Sequence, residues 1–162
     1  MGEGLKGKTR TGETAWRGFE DLEAWKLARE LMLECHRLAD GLPAKERYDL
    51  SPQLRRSSKS VMSNIAEGYG RYHYLDSLRF YYIARGSLHE TINHLIMPND
   101  IANDLDTINE ENSRALQSLA RKAERTLNGY IGYVRRLQTG SSVFGDQFIP
   151  TPDAQPEPLK EG

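Results

Sequence analysis

The segment HETINH, residues 89 to 94, is the part of the chain that most closely approaches a metal-binding motif. Zinc proteases carry the pattern HExxH, in which two histidines four residues apart face one metal ion from the same side of a helix. Here one additional residue separates them, so on a helix His89 and His94 would lie roughly 140° apart. Glu90 and His94 do have helical spacing, but such a lone pair typically forms a surface hydrogen bond. We therefore expect no metal site and no cofactor.

Other patterns that support catalysis do not occur in the sequence either. The phrase SNIAEGYGR, residues 63 to 71, has neither the GxGxxG nor the GxxxxGK[ST] spacing of a phosphate-binding loop, and no strand pattern precedes it. A carboxylate-bridged di-iron bundle would need repeated Glu-x-x-His pairs, and none is found. The single cysteine, Cys35, falls among apolar residues at helical spacing and is expected in the core. We therefore expect no enzymatic activity.

Basic residues are concentrated between positions 55 and 85. This stretch contains six basic residues and two acidic ones, Glu67 and Asp76, a local excess of +4 in a chain whose formal net charge is -1. Such an excess favours a surface that contacts phosphates, and Tyr69, Tyr72 and Tyr74 are available in the same stretch to stack on bases. The candidate nucleic-acid-binding residues are Arg55, Arg56, Lys59, Arg71, Arg79 and Arg85.

A second interpretation assigns the polar residues of this region to packing between helices or between subunits. Four of them follow one another at steps of four, three and four residues, which would place them in one stripe along a helix. A half-buried hydrogen-bond network of this kind would fix how helices pack, and its last two members are spaced for an ion pair. For the basic residues, the pattern does not distinguish phosphate contact from simple exposure to solvent. The stripe consists of Ser60, Asn64, Glu67 and Arg71.

Length and composition indicate one domain flanked by two arms. The chain has 162 residues, and its near balance of basic and acidic residues argues against a wholly basic nucleic-acid binder. A single cysteine cannot form an internal disulfide, and no apolar run approaches the roughly 20 residues that span a bilayer. The first residues lack the apolar core of a signal peptide, so we expect a cytoplasmic protein with no membrane partner. Residues 1–18 and the proline-containing residues 139–162 are expected to be flexible arms.

Apolar residues recur every three or four positions over residues 19–138, which is typical of amphipathic helices. The first helix has acidic residues in its first turn, Glu20 and Asp21 among them, and ends before Pro43. Ser51 is expected to start the second helix, because its hydroxyl can accept a hydrogen bond from a free amide and the proline that follows fits the first helical position. The apolar or small positions of this helix are Leu54, Ser58, Val61, Ile65 and Gly68, the last of which allows close packing and an exit from the helix.

The third helix begins near Leu75, and Pro98 is expected to kink or end it around residues 94–97. The fourth helix is expected from about Leu105 to Gln138, with apolar residues that alternate steps of four and three as in the seam of a bundle. Four such helices with short connections bury their apolar faces best as an antiparallel, up-down-up-down four-helix bundle, so the predicted fold class is all-α. The seam comprises Leu116, Ala120, Ala123, Leu127, Tyr130, Val134 and Leu137.

Three segments in a fixed order give the chain a family resemblance. They are FEDLEAWKLARELMLECHRL, QLRRSSKSVMSNIAEGYGR and RFYYIARGSLHE, and they span residues 19–90. In these segments the chain resembles the four-helix-bundle proteins encoded in intervening sequences of bacterial 23S ribosomal RNA genes. The resemblance implies an antiparallel four-helix bundle that assembles as a ring-like homopentamer and has no enzymatic activity. Related accessory variability proteins of diversity-generating retroelements bind a reverse transcriptase and nucleic acid.

The resemblance also implies a set of signature positions. Two residues depart from the family pattern: His73 stands where the family usually has Ser or Thr, and Pro98 interrupts an apolar helix. The C-terminal arm also extends beyond the usual family length. The matching positions are Gln53, Leu54, Arg55, Arg56, Ser60, Asn64, Ile65, Ala66, Glu67, Gly68, Arg71, Arg79, Ala84, Gly86, Ser87 and Glu90. The candidate structural or interface residues are Ser60, Asn64, Glu67, Gly68, Gly86, Ser87 and Glu90.

Two functions follow as hypotheses. In the first, a non-enzymatic oligomer binds RNA, DNA or a ribonucleoprotein through its basic residues, with a reverse transcriptase as a candidate partner. In the second, a structural adaptor recruits a protein partner without contacting nucleic acid, and the signature residues serve assembly alone.

Overall fold

The structure, a computed structural model, describes residues 18–101 and 109–139. Two short 3₁₀ turns, Phe19–Asp21 and Ala44–Tyr48, precede the first and second of four α-helices. No strand occurs in either described range, so this part of the chain is all-α, as predicted. The predicted arms lie outside the described residues except at their inner ends. The helices are α1 (Glu23–Asp40), α2 (Leu50–Tyr69), α3 (Tyr74–Ile101) and α4 (Glu110–Thr139).

The start of α1 differs from the prediction. Glu20 and Asp21, expected in its first turn, lie in the 3₁₀ turn that precedes it. The ring of Phe19 in the same turn packs edge-on against Trp25 of α1, with centroids 5.4 Å apart, and against Tyr69 of α2, at 6.4 Å. Because these aromatic contacts fix the turn against both helices, the chain enters α1 only after it.

The connection from α1 to α2 uses Ser51 in an unexpected way. α2 begins one residue earlier than predicted, at Leu50, and Ser51 does not cap it. Its hydroxyl donates instead to the carbonyl oxygen of Ala39 at 3.2 Å, one of the last carbonyls of α1, which lack partners within their own helix. Asp49 occupies the cap position, but its carboxylate accepts from Nε2 of Gln53 at 2.8 Å rather than from a backbone amide. Ser51 therefore joins two helices.

α2 and α3 approach each other closely at Gly68. A Cβ atom at this position would lie 2.5 Å from Cε1 of Tyr81 and 3.0 Å from the carbonyl oxygen of Ser77. The first distance is shorter than real Cβ contacts and the second is tighter than most of them, so this part of the helix contact requires a residue without a side chain. α2 ends one residue later, at Tyr69, and the amide of Gly70 beyond it donates to the carbonyl oxygen of Ala66 at 3.2 Å.

α3 continues to Ile101, past Pro98, so of the two predicted alternatives the end around residues 94–97 is wrong and the kink stays a prediction. Proline lacks an amide hydrogen and therefore removes the hydrogen bond to the carbonyl four residues earlier, that of His94. Pro98 stands in the last turn of α3, where few further helical hydrogen bonds depend on it. At this position the proline removes one bond without ending the helix.

α4 begins at Glu110 rather than near Leu105, the predicted start. Asn109 precedes it outside the helix, and its Oδ1 accepts a hydrogen bond from the amide of Asn112 at 3.2 Å. This is the geometry of an N-terminal cap, which satisfies one of the free amides of the first turn. Glu110 then lies where the helix dipole favours negative charge.

The apolar faces of the four helices share one core. Packing occurs between α1 and α2, α2 and α3, α3 and α4, and α1 and α4, which makes the arrangement a four-helix bundle. Two buried hydroxyl bonds cross the core: Thr91 Oγ1 donates to Ser57 Oγ at 3.0 Å, and Ser113 Oγ donates to the carbonyl oxygen of Leu95 at 2.6 Å. The predicted seam of α4 is buried except at Leu137, near the helix end, which is 40% exposed. Among the described helices, none combines the length and apolar character needed to cross a membrane.

Candidate functional site

The six basic side chains predicted to contact nucleic acid do not share one surface. Arg55 of α2 faces α1, where its guanidinium forms an ion pair with Asp40 and donates to Nδ1 of His36 at 3.4 Å. Lys59 is exposed near the same place. Burial, reinforced by the positive charges of Arg55 and Lys59, lowers the pKa of His36. Arg55 is therefore largely engaged by α1.

Arg56 lies on the opposite side of α2, towards α3. Its side chain is 79% exposed, and its guanidinium lies 4.0 Å from the carboxylate of Glu90, a surface pair that contributes little to stability. The same carboxylate is 3.5 Å from Nε2 of the buried His94. Neither ring nitrogen of His94 has a well-formed hydrogen bond within the described part of the chain. These residues connect α2 and α3 near the N-terminal end of α2.

Arg71 and Arg79 lie near the other end of the same helix pair. Arg71 forms the ion pair with Glu67 that the spacing predicts, and its guanidinium carbon lies 4.5 Å from the ring centroid of Phe80. Arg79 is exposed on α3, and its side chain forms no ion pair or hydrogen bond with residues 18–101 or 109–139. Of this pair, only Arg79 forms no ion pair within the described ranges.

Arg85 belongs to a third surface, a groove between α3 and α4. Its Nη1 donates to Oδ1 of Asn128 at 3.3 Å, and its guanidinium lies 5.0 Å from the centroid of the Tyr82 ring. The groove has a volume of about 510 Å³. We call it the α3–α4 groove, and its lining is completed by Ile131, Gly132 and Arg135. The predicted basic cluster is thus divided among three surfaces.

The polar stripe predicted on α2 lies beside α3 and is partly bonded to it. The hydroxyls of Ser60 and Ser87 share a hydrogen bond of 2.8 Å. Nδ2 of Asn64 donates to the carbonyl and hydroxyl oxygens of Ser60, at 2.8 and 3.0 Å. The candidate interface residues therefore come together on one surface, and Gly68 lies beneath it. We call this surface the α2–α3 face; it also includes Arg56, Glu67, Arg71, Ile83, Gly86 and Glu90.

Gly86 is an exposed position of the α2–α3 face that carries no side chain. A Cβ atom here would meet no atom within 4 Å, so the packing of the described residues does not require glycine at this position. Exposed apolar side chains lie on the same helix: Ile83 is 42% exposed and Leu75 is 63% exposed. Gly86 therefore differs from Gly68, which the fold of the single chain does require.

A basic stripe on α4 is not among the predicted site residues. Its members recur at steps of four, three, four and three residues, which places them on one face of the helix. The same spacing identified the apolar seam of α4, so the stripe could have been found from the sequence. Within the two described ranges, none of its three arginines forms an ion pair. The α4 basic stripe consists of Arg121, Arg125, Asn128, Gly132 and Arg135.

The groups with reactive or metal-binding chemistry are buried or scattered. Burial raises the pKa of the Cys35 thiol to about 12, so the thiol stays protonated near neutral pH and is a poor nucleophile. The rings of Tyr81 and Tyr130 meet edge-on at 5.3 Å, and burial raises the pKa of both phenols. In the described ranges, no three His, Cys, Asp or Glu side chains are placed to hold one metal ion.

Known proteins similar to this chain point to one family. The model of a family described as 23S rRNA-intervening sequence protein matches residues 20–129. Among solved structures, the chain is similar to a protein of unknown function from the S23 ribosomal protein family of Bacteroides thetaiotaomicron. The TM-score is 0.60 and the identity 19%, over 67% of this chain and 97% of that one, so the similarity concerns the fold. Among curated proteins, none matches the chain in sequence.

Proposed function

This chain belongs to the 23S rRNA-intervening sequence protein family, and on that premise we propose that it is a non-enzymatic, homo-oligomeric four-helix bundle that binds nucleic acid or a ribonucleoprotein. Copies associate through the α2–α3 face, and basic residues contact phosphates. We further propose a cytoplasmic location, a reverse transcriptase as candidate protein partner, and no cofactor. The exposed Gly86 beside Ile83 is the observation that carries the self-association in this proposal.

In this proposal the helices alternate in direction, up, down, up and down. Contacts between neighbouring helices support this order, because rising residue numbers on one helix meet falling numbers on the next. Ser57 of α2 contacts Thr91 of α3, whereas Gly68, further along α2, contacts Tyr81, an earlier residue of α3. Such opposite order is characteristic of antiparallel pairs. The same order relates α3 to α4 in the pairs Leu95–Ser113 and Tyr81–Tyr130.

Gly86 lies inside a helix, where glycine has a low propensity. A glycine inside a helix costs about 1 kcal/mol relative to alanine. Gly86 stands in the interior of α3, and the packing of its own chain gives no reason for it. Close approach of a helix from another copy would explain the glycine, because the missing side chain lets two helix backbones come together. Ile83 supplies exposed apolar surface beside it. The family resemblance then favours a ring-like homopentamer as the closed assembly.

Native mass spectrometry of Gly86→Leu and Gly129→Leu tests the self-association. Gly129 is a matched control, because it also lies within a helix and a Cβ atom there would meet nothing within 4 Å, but no large exposed apolar side chain lies three or four residues from it. We expect the wild-type chain and Gly129→Leu to form the same oligomer, with the mass of five chains, and Gly86→Leu to dissociate. A monomeric wild type at micromolar concentration, or equal assembly of the two variants, would contradict the proposal.

Assembly also bears on nucleic-acid binding. Each copy contributes exposed charges that are not assigned to the α2–α3 face, such as Lys59 and Arg79, and the affinity for phosphates and its salt dependence grow with the number of contacts. Filter binding to structured RNA, single-stranded RNA and duplex DNA across a salt series tests this function. We expect binding that weakens as salt rises. Absence of binding to all three near physiological salt would rule out the nucleic-acid part of the proposal and leave the assembly part to its own test.

A structural adaptor is the second candidate, and one observation favours it. Several polar residues of the α2–α3 face bond within the chain, as in the Ser60–Ser87 hydrogen bond and the Glu67–Arg71 ion pair, and so are already engaged without nucleic acid. Co-purification from the native host after nuclease treatment distinguishes the two candidates. An adaptor should retain one protein at fixed stoichiometry and show no affinity for RNA or DNA in the filter assay.

A further inference from the structure

We propose that the α4 basic stripe and the α3–α4 groove form a binding site for single-stranded nucleic acid. The phosphate backbone follows the stripe, and one unpaired base enters the groove beside Tyr82. This inference rests on the proposed nucleic-acid-binding function and specifies both the surface and the class of ligand. The groove lies where α3 packs on α4, whereas the hydrogen bonds of the α2–α3 face lie where α3 packs on α2.

The first support is a set of positive charges that nothing in the described chain neutralises. Arg121, Arg125 and Arg135 are exposed and form no ion pair within residues 18–101 and 109–139. Arg114, earlier on the same helix, is by contrast paired with Glu110. Unpaired arginines held along one rigid helix face create a local positive field that attracts an anionic chain.

Between Arg121 and Arg135 the described helix carries one acidic residue, Glu124, and its carboxylate is already engaged. Oε1 of Glu124 lies 2.7 Å from Nε2 of His89 on α3, and its side chain is only 20% exposed. The hydrogen bond holds the carboxylate against α3, away from the exposed face of α4. The charge presented to solvent along this part of α4 is therefore dominated by arginine.

The extent of the stripe suits a polymer rather than a small anion. From Arg121 to Arg135 the helix rises about 21 Å, which is long enough for several successive phosphates. Gly132 carries no side chain to obstruct the path between the ends of the stripe, and it forms part of the groove lining. A free phosphate would contact only one end of this surface at a time.

The groove adds features that an unpaired base can use. The ring of Tyr82 is partly open to solvent, with the residue 39% exposed, and Arg85 lies over it at 5.0 Å. Tyrosine rings and guanidinium planes both stack on bases, and the amide of Asn128 can bond a base edge. In a duplex the bases are stacked inside, and only the backbone would reach the stripe. The combination therefore favours a single strand.

Removal of two stripe arginines tests the backbone contact. We expect Arg121→Ala with Arg125→Ala to weaken binding of a short labelled single-stranded RNA to the full-length chain. The slope of log K against log salt should fall in magnitude by about 1.4, for two lost single-strand phosphate contacts. The matched control is Arg29→Ala with Arg47→Ala, which removes the same charge from exposed positions on α1 and on the turn that follows it. The control should keep the wild-type slope.

Substitution of the aromatic residue tests the base contact. We expect Tyr82→Ala to raise Kd for the single strand about fivefold or more, through loss of base stacking, and Tyr82→Phe to remain close to the wild type. Tyr48→Ala is the control, because Tyr48 is 88% exposed on the turn between α1 and α2. Native mass spectrometry of each sample verifies that assembly is unchanged, so that a lost oligomer is not mistaken for a lost base contact.

The binding results for the wild-type chain and its variants separate failure of the site from failure of the proposed function. The site is supported if binding is weakened in the stripe variant and in Tyr82→Ala but not in their control variants. Wild-type binding by those variants overturns the site while the proposed function stands, because another surface must then hold the nucleic acid. If the wild-type chain binds no nucleic acid, the site and the proposed function fail together. Tighter binding of the matching duplex, or an acidic protein retained through the stripe after nuclease treatment, would also overturn the assignment.

Discussion

Gly68 lies where two helices meet with no space for a side chain, and its substitution gives a direct test of the packing. Alanine would be favoured by helix propensity, but its methyl group would overlap the ring of Tyr81 at 2.5 Å. The overlap should dominate, and we expect Gly68→Ala to lower the free energy of unfolding by about 1–3 kcal/mol in urea denaturation. Gly70→Ala is the control, because the nearest atoms to a Cβ there lie at 3.7 Å. Equal stability of both variants would contradict the interpretation that the contact with Tyr81 requires glycine at position 68.

His36 links the charge of a single residue to the pH dependence of folding. Burial, with the charges of Arg55 and Lys59, lowers the pKa of His36 in the folded chain, and Asp40 opposes this shift only in part. The unfolded chain therefore binds the proton more readily. The contribution of His36 to stability is present above its ordinary pKa of about 6.5 and is lost as the pH falls through the lower, folded value.

We accordingly expect His36→Gln to flatten the decline of the unfolding free energy below about pH 6.5. The measurement is urea denaturation at a series of pH values, at one protein concentration. His73→Gln, at an exposed histidine at the start of α3, provides the control. A profile for His36→Gln that superimposes on the wild type would show that the titration of His36 is not linked to folding.

Among the elements, α4 depends on a cap that the sequence does not make obvious. Asn109 accepts a hydrogen bond from the amide of Asn112, and loss of such a cap costs about 0.5–2 kcal/mol. We expect Asn109→Ala to lower the thermal midpoint and Asn112→Ala to leave it unchanged or raise it, because alanine is favoured inside a helix. A circular dichroism melt of the two variants distinguishes them. A destabilised Asn112→Ala variant would indicate that its side chain, rather than the cap, matters.

The positions of the helices could be predicted from the sequence better than their ends. Apolar residues at helical spacing locate a helix, because burial of one face depends only on that spacing. Ends depend on partners from elsewhere, and Ser51 is the clearest example: its hydroxyl bonds Ala39 of the preceding helix instead of capping its own. The start predicted at Leu105 was too early, since the cap at Asn109 makes Glu110 the first residue of α4.

The family resemblance drawn from three sequence segments is confirmed by the match over residues 20–129. The candidate site was harder to predict. Residues that are near in sequence lie on different faces, and their acidic or amide neighbours come from distant helices: Asp40 engages Arg55, and Asn128 engages Arg85. A count of charges between positions 55 and 85 could not reveal these pairs, because Asp40 and Asn128 lie outside that stretch. The spacing of the α4 basic stripe, by contrast, was available from the sequence.

For the whole molecule, the two proposed surfaces have different consequences. The α2–α3 face would set the number of chains, and the α3–α4 groove would bind one strand per chain. Several grooves on one assembly raise the affinity for an RNA long enough to reach more than one of them, because the second contact is intramolecular. A short strand that fills a single groove gains nothing from assembly. The affinity for long RNA should therefore depend on the oligomer, and that for short RNA should not.

We expect Ile83→Glu, which puts a charge on the 42% exposed apolar position of the α2–α3 face, to yield monomers that bind a long single strand at least about tenfold more weakly than the wild type. Binding of a short strand should be unchanged, since the α4 basic stripe is intact. Tyr48→Glu adds the same charge at an exposed turn and should behave as the wild type with both strands. Sedimentation and fluorescence anisotropy of the same samples measure assembly and affinity together. Undiminished affinity of a monomeric variant for the long strand would show that binding does not depend on assembly, because one chain would then supply every contact.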